Sequence, residues 1–247
     1  VVTAAVAGAL ATFGCAKVNV RRRVRVAVLV TGDELAGVDE RPEDWRIRDS
    51  NGEALGAMVS RLGWAELVLR RRVPDDVDVM HAAVEEALAQ SDALVMTGGV
   101  SMGDRDHVPG VLRSCGVQAL FHKLPQRPGR PVLAAIGPQD QLVLGLPGNP
   151  VSVLVTARRL LIPALARMAG LIGDGEFAER VELDHDESRT LNMWWHRLAV
   201  KTGPGRARLV DVKGSGDLVA AARSDGVVEI PPGHTGRGPW SFYGWSI

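Results

Sequence analysis

The amino-acid sequence predicts an α/β domain with a mostly parallel sheet, followed by a small all-β domain. Up to residue 170, apolar strands alternate with helical segments, which is typical of a parallel sheet covered by helices. From about Leu171 to Ile247, short strands between Gly and Pro turns replace this alternation, and no long helical period remains. We therefore expect residues 24–170 and 171–247 to form two domains.

The first domain opens with a strand at residues 24–30, which are apolar on both faces, as in a central parallel strand. Ser50 and Glu53 form a capping-box pattern at the start of a helix, and a second helix is predicted from about Val77 to Gln90. Further strands are predicted in AELVLRRRV, DALVMT, VQALFHKL and QLVLGL, with a short helix in DHVPGVLRSCG. A long helix starts at NPVS, and Pro163 should kink or break it.

The composition excludes several classes of function. The 247 residues carry 29 Lys and Arg against 29 Asp and Glu, which gives no support for a nucleic-acid partner. Cys15 and Cys115 form no disulfide or metal framework, so we expect a reduced, cytoplasmic environment. The apolar start lacks a membrane-spanning length, and its positive charges come after it. We expect residues 1–23 to be the remnant of a preceding amphipathic helix and linker.

The stretch ALVMTGGVSMGDRDHV indicates a ligand site. After the strand it places three glycines and a serine, namely Gly98, Gly99, Ser101 and Gly103. Adjacent glycines let backbone amides approach an anion. The carboxylates of Asp104 and Asp106 would repel a phosphate unless a divalent cation such as Mg²⁺ lay between them. The alternative is that one aspartate only caps the next helix, but for the whole cluster we favour the ligand site.

Two other loops carry charge. TGDEL places Asp33 and Glu34 at the end of the first strand, a weak signal alone because acids are common in loops. HKLPQRPGRP holds Lys123, Arg127 and Arg130 among prolines that fix an extended backbone. Three fixed cations suit an oxyanion or a polyphosphate, whereas the alternative is a solvated basic surface loop.

LPGNPVS joins a strand to the long helix. Pro147 and Gly148 predict a turn, Asn149 is a good N-cap, and Pro150 suits the first helical position. These structural roles explain much of the motif. TGDEL, TGGVSMGD and LPGNP nevertheless all follow strands, and ligands of such folds bind at the carboxyl ends of the strands.

These motifs, in this order, resemble the MoeA/gephyrin family of molybdopterin molybdenumtransferases: VAVLVTGDEL, DSN, TGGVSMGDRD, KLPQRPGRP and GLPGNPVS. The tail GSGDLVAAARSDGVVEIPPG resembles the C-terminal β-barrel domain of that family. The resemblance covers nearly the whole chain and implies a three-layer molybdopterin-binding α/β domain followed by a small barrel. It also implies a homodimeric enzyme that uses Mg²⁺ to insert molybdate into adenylylated molybdopterin, with release of AMP.

The resemblance assigns roles to individual residues. The predicted catalytic residues are Glu34, Asp75, Asp106, Lys123 and Arg127. The predicted metal ligands are Asp106, Glu34 and Asp104. The predicted ligand-binding residues are Thr31, Gly32, Asp49, Ser50, Asn51, Gly98, Gly99, Ser101, Gly103, Arg130, Pro147, Gly148, Asn149 and Pro150.

Two departures from the family bear on activity. Arg127 stands where the family usually has a lysine, and its planar guanidinium changes the geometry offered to an oxyanion. Family members also carry two further N-terminal domains, which complete the active site in the dimer. We therefore expect residues 1–247 alone to bind the substrate and to turn it over poorly.

Two other classes of function stay open. A non-catalytic molybdopterin-binding or scaffold protein would bind without turnover, but it would not need carboxylates at all three loops. A general nucleotide-binding α/β domain predicts GxGxxG after the first strand, which TGDELAG does not supply.

Overall fold

The fold was analysed in a computed structural model, which describes residues 1–100, 107–171 and 178–246. The strands are β1 (Val24–Thr31), β2 (Leu35–Ala36), β3 (Ile47–Arg48), β4 (Ala65–Val73), β5 (Ala93–Thr97), β6 (Gln118–His122), β7 (Gln126–Arg127), β8 (Leu133–Ile136), β9 (Leu142–Leu146), β10 (Glu179–Leu183), β11 (Trp194–Gly203), β12 (Arg206–Leu209), β13 (Gly226–Ile230) and β14 (Trp240–Gly244). The helices are α1 (Ala4–Thr12), α2 (Ser50–Ser60), α3 (Val77–Gln90), α4 (Val108–Ser114), α5 (Pro150–Thr156), α6 (Ile162–Met168) and α7 (Leu218–Ala222).

The first sheet has the strand order β4-β1-β5-β9-β8-β6. β4, β1, β5 and β9 are parallel, and β8 is antiparallel to both of its neighbours, so β6 runs in the same direction as β9. The predicted mostly parallel sheet is confirmed. β8 was not predicted, because it is only four residues long and two of them are alanine, which has little strand preference.

Helices cover both faces of this sheet, which gives the three layers expected. On one face, Leu55 and Val59 of α2 and Ile162 of α6 pack with the side chains of Val26 and Val28. On the other face, α3 and α4 pack against the alternate positions of β1, including Ala27 and Leu29. β1 is therefore buried on both sides, as its predominantly apolar sequence predicts.

The long helix after LPGNP is interrupted as Pro163 predicts. α5 passes into one π-helical turn at Ala157–Leu161, and α6 begins directly after it. A proline donates no backbone hydrogen bond, and its ring clashes with the carbonyl four residues earlier, which here is Arg159. The π-helical turn, which is wider than an α-helical turn, includes Arg159.

The second sheet is a five-stranded barrel. Its order is β12-β10-β14-β13-β11, and pairing of β11 with β12 closes it. Val181, Trp195, Val228 and Phe242 belong to its apolar core. The predicted small β-barrel is confirmed, with the short helix α7 as an insertion between its strands. Asp217 caps α7 through the amide of Ala220, and this short turn carries no long helical period.

The barrel packs on the helix that follows LPGNP. Val151 and Val155 of α5 lie against Leu198, Val227 and Tyr243 on the outer face of the barrel. In addition, β7 pairs in parallel with the start of β11, so a loop of the first sheet is hydrogen-bonded to a barrel strand. Both contacts fix the barrel beside the sheet edge where the candidate ligand loops lie.

The segment before β1 differs from the expectation of an amphipathic helix. α1 has no buried residue, and its sequence AAVAGALAT is apolar on every side rather than on one. None of the helices in the described ranges combines the length and apolarity needed to cross a membrane.

Candidate ligand-binding site

The candidate site lies at one edge of the first sheet. Because β1, β4, β5, β6 and β9 point in the same direction, their carboxyl ends meet there. The loops that follow them are TGDEL, PDD, TGG, the basic loop (residues 123–131) and LPGNP. The strand order reverses between β1 and β5, with β4 on one side of β1 and β5 on the other, and ligands of doubly wound folds bind at such a reversal.

Gly98 and Gly99 bring the two central loops into contact. Both have left-handed backbones, with φ of 91° and 57°, which glycine adopts without steric cost. A Cβ added to Gly98 would overlap the backbone oxygen of Thr31 and lie 2.7 Å from its hydroxyl. Only glycine allows this approach, so the predicted binding residues Thr31, Gly98 and Gly99 lie together.

A buried network of hydrogen bonds joins the glycine loop to LPGNP. The hydroxyl of Thr97 donates to the carbonyl of Pro147 at 2.7 Å. The side-chain amide of Asn51 donates to Thr97 Oγ1 at 3.2 Å and to the carbonyl of Gly148 at 2.8 Å. Thr97 is fully buried. These bonds hold three predicted binding residues, Asn51, Pro147 and Gly148, in one arrangement, and Asn51 acts there by positioning the loops.

Thr97 was missed by the sequence analysis, although a hydroxyl at the end of an otherwise apolar strand could have indicated it. We expect Thr97→Val to lower the free energy of unfolding by about 1–3 kcal/mol, because an isosteric methyl removes the donor to the Pro147 carbonyl and the acceptor of one Asn51 N–H. Thr97→Ser keeps the hydroxyl and should cost clearly less. Urea unfolding measures both, and hydrogen exchange should be faster at the Gly148 and Asn149 amides in the valine variant only. Equal exchange rates in wild type and Thr97→Val would contradict the role of Thr97 in holding the LPGNP loop.

The start of α2 corrects the predicted capping box. The N-cap is Asp49, whose carboxylate accepts from the Gly52 amide at 2.7 Å, and Ser50 is the first helical residue. Glu53 pairs with Arg70 at 2.7 Å instead of reaching back to the cap. The helix is therefore capped one residue earlier than predicted, and the carboxylate of Asp49 is hydrogen-bonded to a backbone amide. Oδ1 of Asn51 is buried and accepts no hydrogen bond in the described parts of the chain.

The acidic loops also meet at this edge. Asp33 accepts a hydrogen bond from the backbone amide of Asp75 at 3.0 Å, which joins TGDEL to PDD. Asp76, and not Asp75, caps α3 by accepting from two amides, so the exposed carboxylate of Asp75 is not used by the cap. Glu34 folds over Gly32, where an added Cβ would lie 2.5 Å from its Oε2. The predicted residues Gly32, Glu34 and Asp75 therefore share one surface.

Of the predicted metal ligands, Glu34 lies at the sheet edge with an exposed carboxylate. Asp104 and Asp106 lie outside the described residues, as do the predicted binding residues Ser101 and Gly103. Within the described ranges, no group of three or more His, Cys, Asp or Glu is close enough to hold a metal. Glu34 is a hard oxygen donor, which suits Mg²⁺ and disfavours the softer metals that need His or Cys.

The basic loop begins beside the glycine loop. Nε2 of His122 donates to the carbonyl of Val100 at 2.8 Å, which places the end of β6 against the glycine loop that follows β5. Lys123 follows with a left-handed φ of 82°, which is unfavourable for any residue except glycine and, to a lesser degree, Asn and Asp. The hydrogen bond from its amide to the carbonyl of Val132 at 2.8 Å holds this backbone. Strain of this kind is often kept at functional sites.

The three predicted cations of this loop are exposed. Lys123, Arg127 and Arg130 form no ion pair with any residue in the described ranges. Their backbone is nevertheless fixed. Gln126 and Arg127 pair with Trp194 and Trp195 of the barrel, and the side chain of Gln126 donates to the carbonyl of Gly129 at 2.8 Å. The loop thus presents exposed cationic groups on a held backbone.

LPGNP begins α5 as predicted. Asn149 occupies the N-cap and Pro150 the first helical position. The side chain of Asn149 makes no capping hydrogen bond, and Gly148 and Asn149 are exposed toward the rim. The amide of Val151 donates to the carbonyl of Ser215 at 3.0 Å. Ser215 of the GSGD turn was missed, because nothing in the sequence indicates contact across so many residues.

The edge therefore combines backbone amides at two glycine-containing loops, exposed carboxylates in the loops after β1 and β4, and three cations on a held loop. Amides and a carboxylate-bound cation suit a polyphosphate, and the cations suit a second, oxygen-rich anion beside it. Such a site acts mainly by positioning two anionic reactants and by stabilising charge as it develops.

Comparison with known proteins gives independent information. Residues 27–167 match the family model described as "Probable molybdopterin binding domain". A molybdopterin molybdenumtransferase of Nostoc sp. is 34% identical over 243 residues, covering 92% of this chain and 53% of the relative. One of Staphylococcus aureus is 31% identical over 230 residues, covering 92% of this chain and 54% of the relative. The chain therefore spans about half the length of the curated relatives it matches.

A solved structure supports the same grouping. The crystal structure of a molybdopterin biosynthesis MoeA protein from Pyrococcus horikoshii superposes with a TM-score of 0.81 at 26% identity. The superposition covers 96% of this chain and 58% of that one, so it includes both the sheet and the barrel.

Proposed function

Because this chain belongs to the molybdopterin-binding domain family, we propose that it inserts molybdate into adenylylated molybdopterin and releases AMP. This reaction belongs to molybdenum cofactor biosynthesis, and the names of the curated relatives support it. The observation that carries the proposal is the joining of the glycine loop to LPGNP by Thr97 and Asn51, with the basic loop next to it through His122. A substrate with a pyrophosphate and a neighbouring oxyanion fits this arrangement.

The residues would divide the work by position. Backbone amides of Gly98 and Gly99 would face the pyrophosphate between AMP and the pterin part. Lys123, Arg127 and Arg130 would attract molybdate and hold it beside the dithiolene. As the two dithiolene sulfurs bind molybdenum, their protons would leave with one molybdate oxygen as water, and attack of a water molecule on the pyrophosphate would release AMP. The same cations would offset charge on the departing oxygens. None of these steps needs a covalent bond to the protein.

We propose that Mg²⁺ is held by Glu34, together with Asp104 and Asp106. When bound, it would neutralise the pyrophosphate and so allow carboxylates and phosphates to share one edge. Asp75 would lie close by, since its backbone is bonded to Asp33 in the same loop as Glu34. The homodimer and the cytoplasmic location are further proposals, which rest on the family resemblance and on the two unpaired cysteines.

Lys123 offers the sharpest test of the proposed reaction. Lys123→Asn removes the cation, while asparagine adopts the left-handed φ of this position more readily than lysine does. We expect stability to be unchanged or higher. Molybdate-dependent AMP release should fall at least about tenfold, since a charge-assisted contact contributes on the order of 1.5–3 kcal/mol. Single-turnover assays with the protein in excess over adenylylated molybdopterin would detect even slow release.

Asp140→Asn is the matched control. Asp140 is the other non-glycine residue with positive φ in the described ranges, and it lies in the turn before β9, away from the site loops. AMP release by this variant should equal that of the wild type. If the wild type binds adenylylated molybdopterin but releases no AMP when molybdate is added, the chain is a binding protein and the proposed reaction is wrong.

A further inference from the structure

A cavity lies on the outer face of the barrel. Its volume is about 810 Å³. Its floor is a polar row that crosses four strands: His196 of β11 is opposite Glu229 of β13, Glu229 is opposite Ser241 of β14, and Ser241 is opposite Arg180 of β10. An outward-facing row of a barrel is normally solvated. Here neighbouring segments wall it in.

Three segments form the walls. The π-helical turn contributes Arg159 and Leu160, and the segment between β13 and β14 contributes Pro231 and His234. The third wall is the basic loop at residues 124–126 together with Trp194. The cavity therefore shares one wall with the loop that carries Lys123, Arg127 and Arg130.

The part of the floor around Glu229 is held by several hydrogen bonds. Glu229 accepts from Nε2 of His196 at 2.9 Å, from Nε of Arg159 at 2.8 Å and from the hydroxyl of Tyr243 at 3.3 Å. The side chain of His196 is only 2% exposed. A ligand would therefore meet a fixed surface there, and its recognition would fall to groups at the rim.

The rim groups define the class of ligand. Trp194 is 41% exposed, and its indole N–H donates to no group in the described ranges. Arg180 is exposed, and among the described residues it bonds only to neutral oxygens, those of Ser241 and Pro239. A flat ring would stack on the indole, and acceptor atoms or a negative charge would face the guanidinium. The cavity thus suits a flat, acceptor-rich heterocycle.

The order of the loops matches the order of groups in the proposed substrate. The basic loop touches the glycine loop at one end, where His122 bonds to Val100, and lines the cavity at residues 124–126. In adenylylated molybdopterin, the dithiolene lies between the pyrophosphate and the pterin. We propose that this cavity binds the pterin end of the substrate. The inference rests on the proposed function, and it places pyrophosphate, molybdate and pterin along one line of loops.

Pterin-6-carboxylate and AMP, used separately, test the assignment. Both would be titrated by calorimetry against the wild type, Trp194→Ala, Trp194→Phe and Arg180→Met. We expect pterin-6-carboxylate to bind the alanine and methionine variants at least about tenfold more weakly, with a smaller loss for phenylalanine, which keeps a ring for stacking. AMP affinity should be the same in all four proteins.

Arg208→Met is the control, because Arg208 is an exposed arginine on barrel strand β12 and does not line the cavity. Melting curves of all variants check the fold, and Arg180→Met provides a second test should Trp194→Ala be unstable. Pterin binding that none of the cavity variants weakens would overturn the inference. So would AMP binding without pterin binding up to millimolar concentrations, and in both cases the proposed function would stand. If neither AMP nor adenylylated molybdopterin binds, the proposed function fails and the pterin site fails with it.

Discussion

Replacing Gly98 by alanine is expected to destabilise the protein by about 3 kcal/mol or more and to abolish binding of AMP. The left-handed φ of 91° alone costs an alanine about 1–2 kcal/mol. The new Cβ would also overlap the backbone oxygen of Thr31, which cannot move without displacing the end of β1. Since Thr31 and Gly98 lie at the proposed pyrophosphate site, the distortion falls where the ligand binds. Urea unfolding and calorimetry with AMP measure the two effects.

Gly110→Ala is a control that should change stability in the opposite direction. Gly110 lies in α4, is exposed, and a Cβ there would meet no atom within 4 Å. Alanine should therefore stabilise this helix by about 0.5–1 kcal/mol. A Gly98→Ala protein that is as stable as the wild type and binds AMP equally well would mean that Gly98 does not approach Thr31 as described.

Replacing Glu229 by alanine is expected to lower the free energy of unfolding by about 3 kcal/mol. The change removes the carboxylate to which Arg159, His196 and Tyr243 donate, and loss of one member of a largely buried ion pair is strongly destabilising. For a chain of this length, the loss corresponds to a fall in Tm of about 8 °C. Because Arg159 belongs to the helix after LPGNP, we also expect weaker packing of the barrel on that helix.

The contribution of Glu229 should depend on pH. Burial raises the pKa of this carboxyl, but hydrogen bonds from His196 and Arg159 outweigh it and hold the pKa below its usual value. A lowered pKa in the folded state stabilises the protein above the unfolded-state pKa of about 4.3, and this stabilisation is lost as the pH falls through the lowered value. The stability difference between wild type and Glu229→Gln should therefore shrink below about pH 4.

Glu182→Gln serves as the control for this titration. Glu182 is an exposed glutamate on barrel strand β10, and it forms no ion pair within the described ranges. Its substitution should change stability little and with no comparable dependence on pH. A Glu229→Gln difference that stays constant between pH 7 and pH 3 would contradict the pairing of Glu229 with Arg159 and His196.

The sequence predicted those parts of the fold that depend on local patterns. β1 and β5 are predominantly apolar runs, and α3 has the bounds expected from its capping aspartate and its helical period. The family motifs also indicated which loops meet, and the family assignment is confirmed by the match over residues 27–167. Local information was sufficient there because each motif follows a strand whose direction the parallel sheet fixes.

The missed features all depend on contacts between distant segments. β7 is two residues long and is a strand only because Trp194 and Trp195 pair with it. Ser215 reaches the start of α5 through the packing of the barrel, and Glu229 meets Arg159 for the same reason. No local pattern predicts such pairings. The division into residues 24–170 and 171–247 stays a prediction, and the pairing of β7 with β11 crosses it.

That pairing has a consequence for how the protein matures. The edge that carries the glycine loop needs only β1, β5 and β9, which are neighbours in one sheet. The basic loop takes its strand geometry from β11, a barrel strand that comes later in the chain. β1, β5 and β9 are all synthesised before β11, and the N-terminal part of a chain generally folds first during synthesis. During synthesis, the edge proposed to bind the pyrophosphate should therefore be complete before the basic loop has its final shape. A chain arrested at that stage would present the proposed nucleotide site without an ordered form of the loop proposed to bind molybdate.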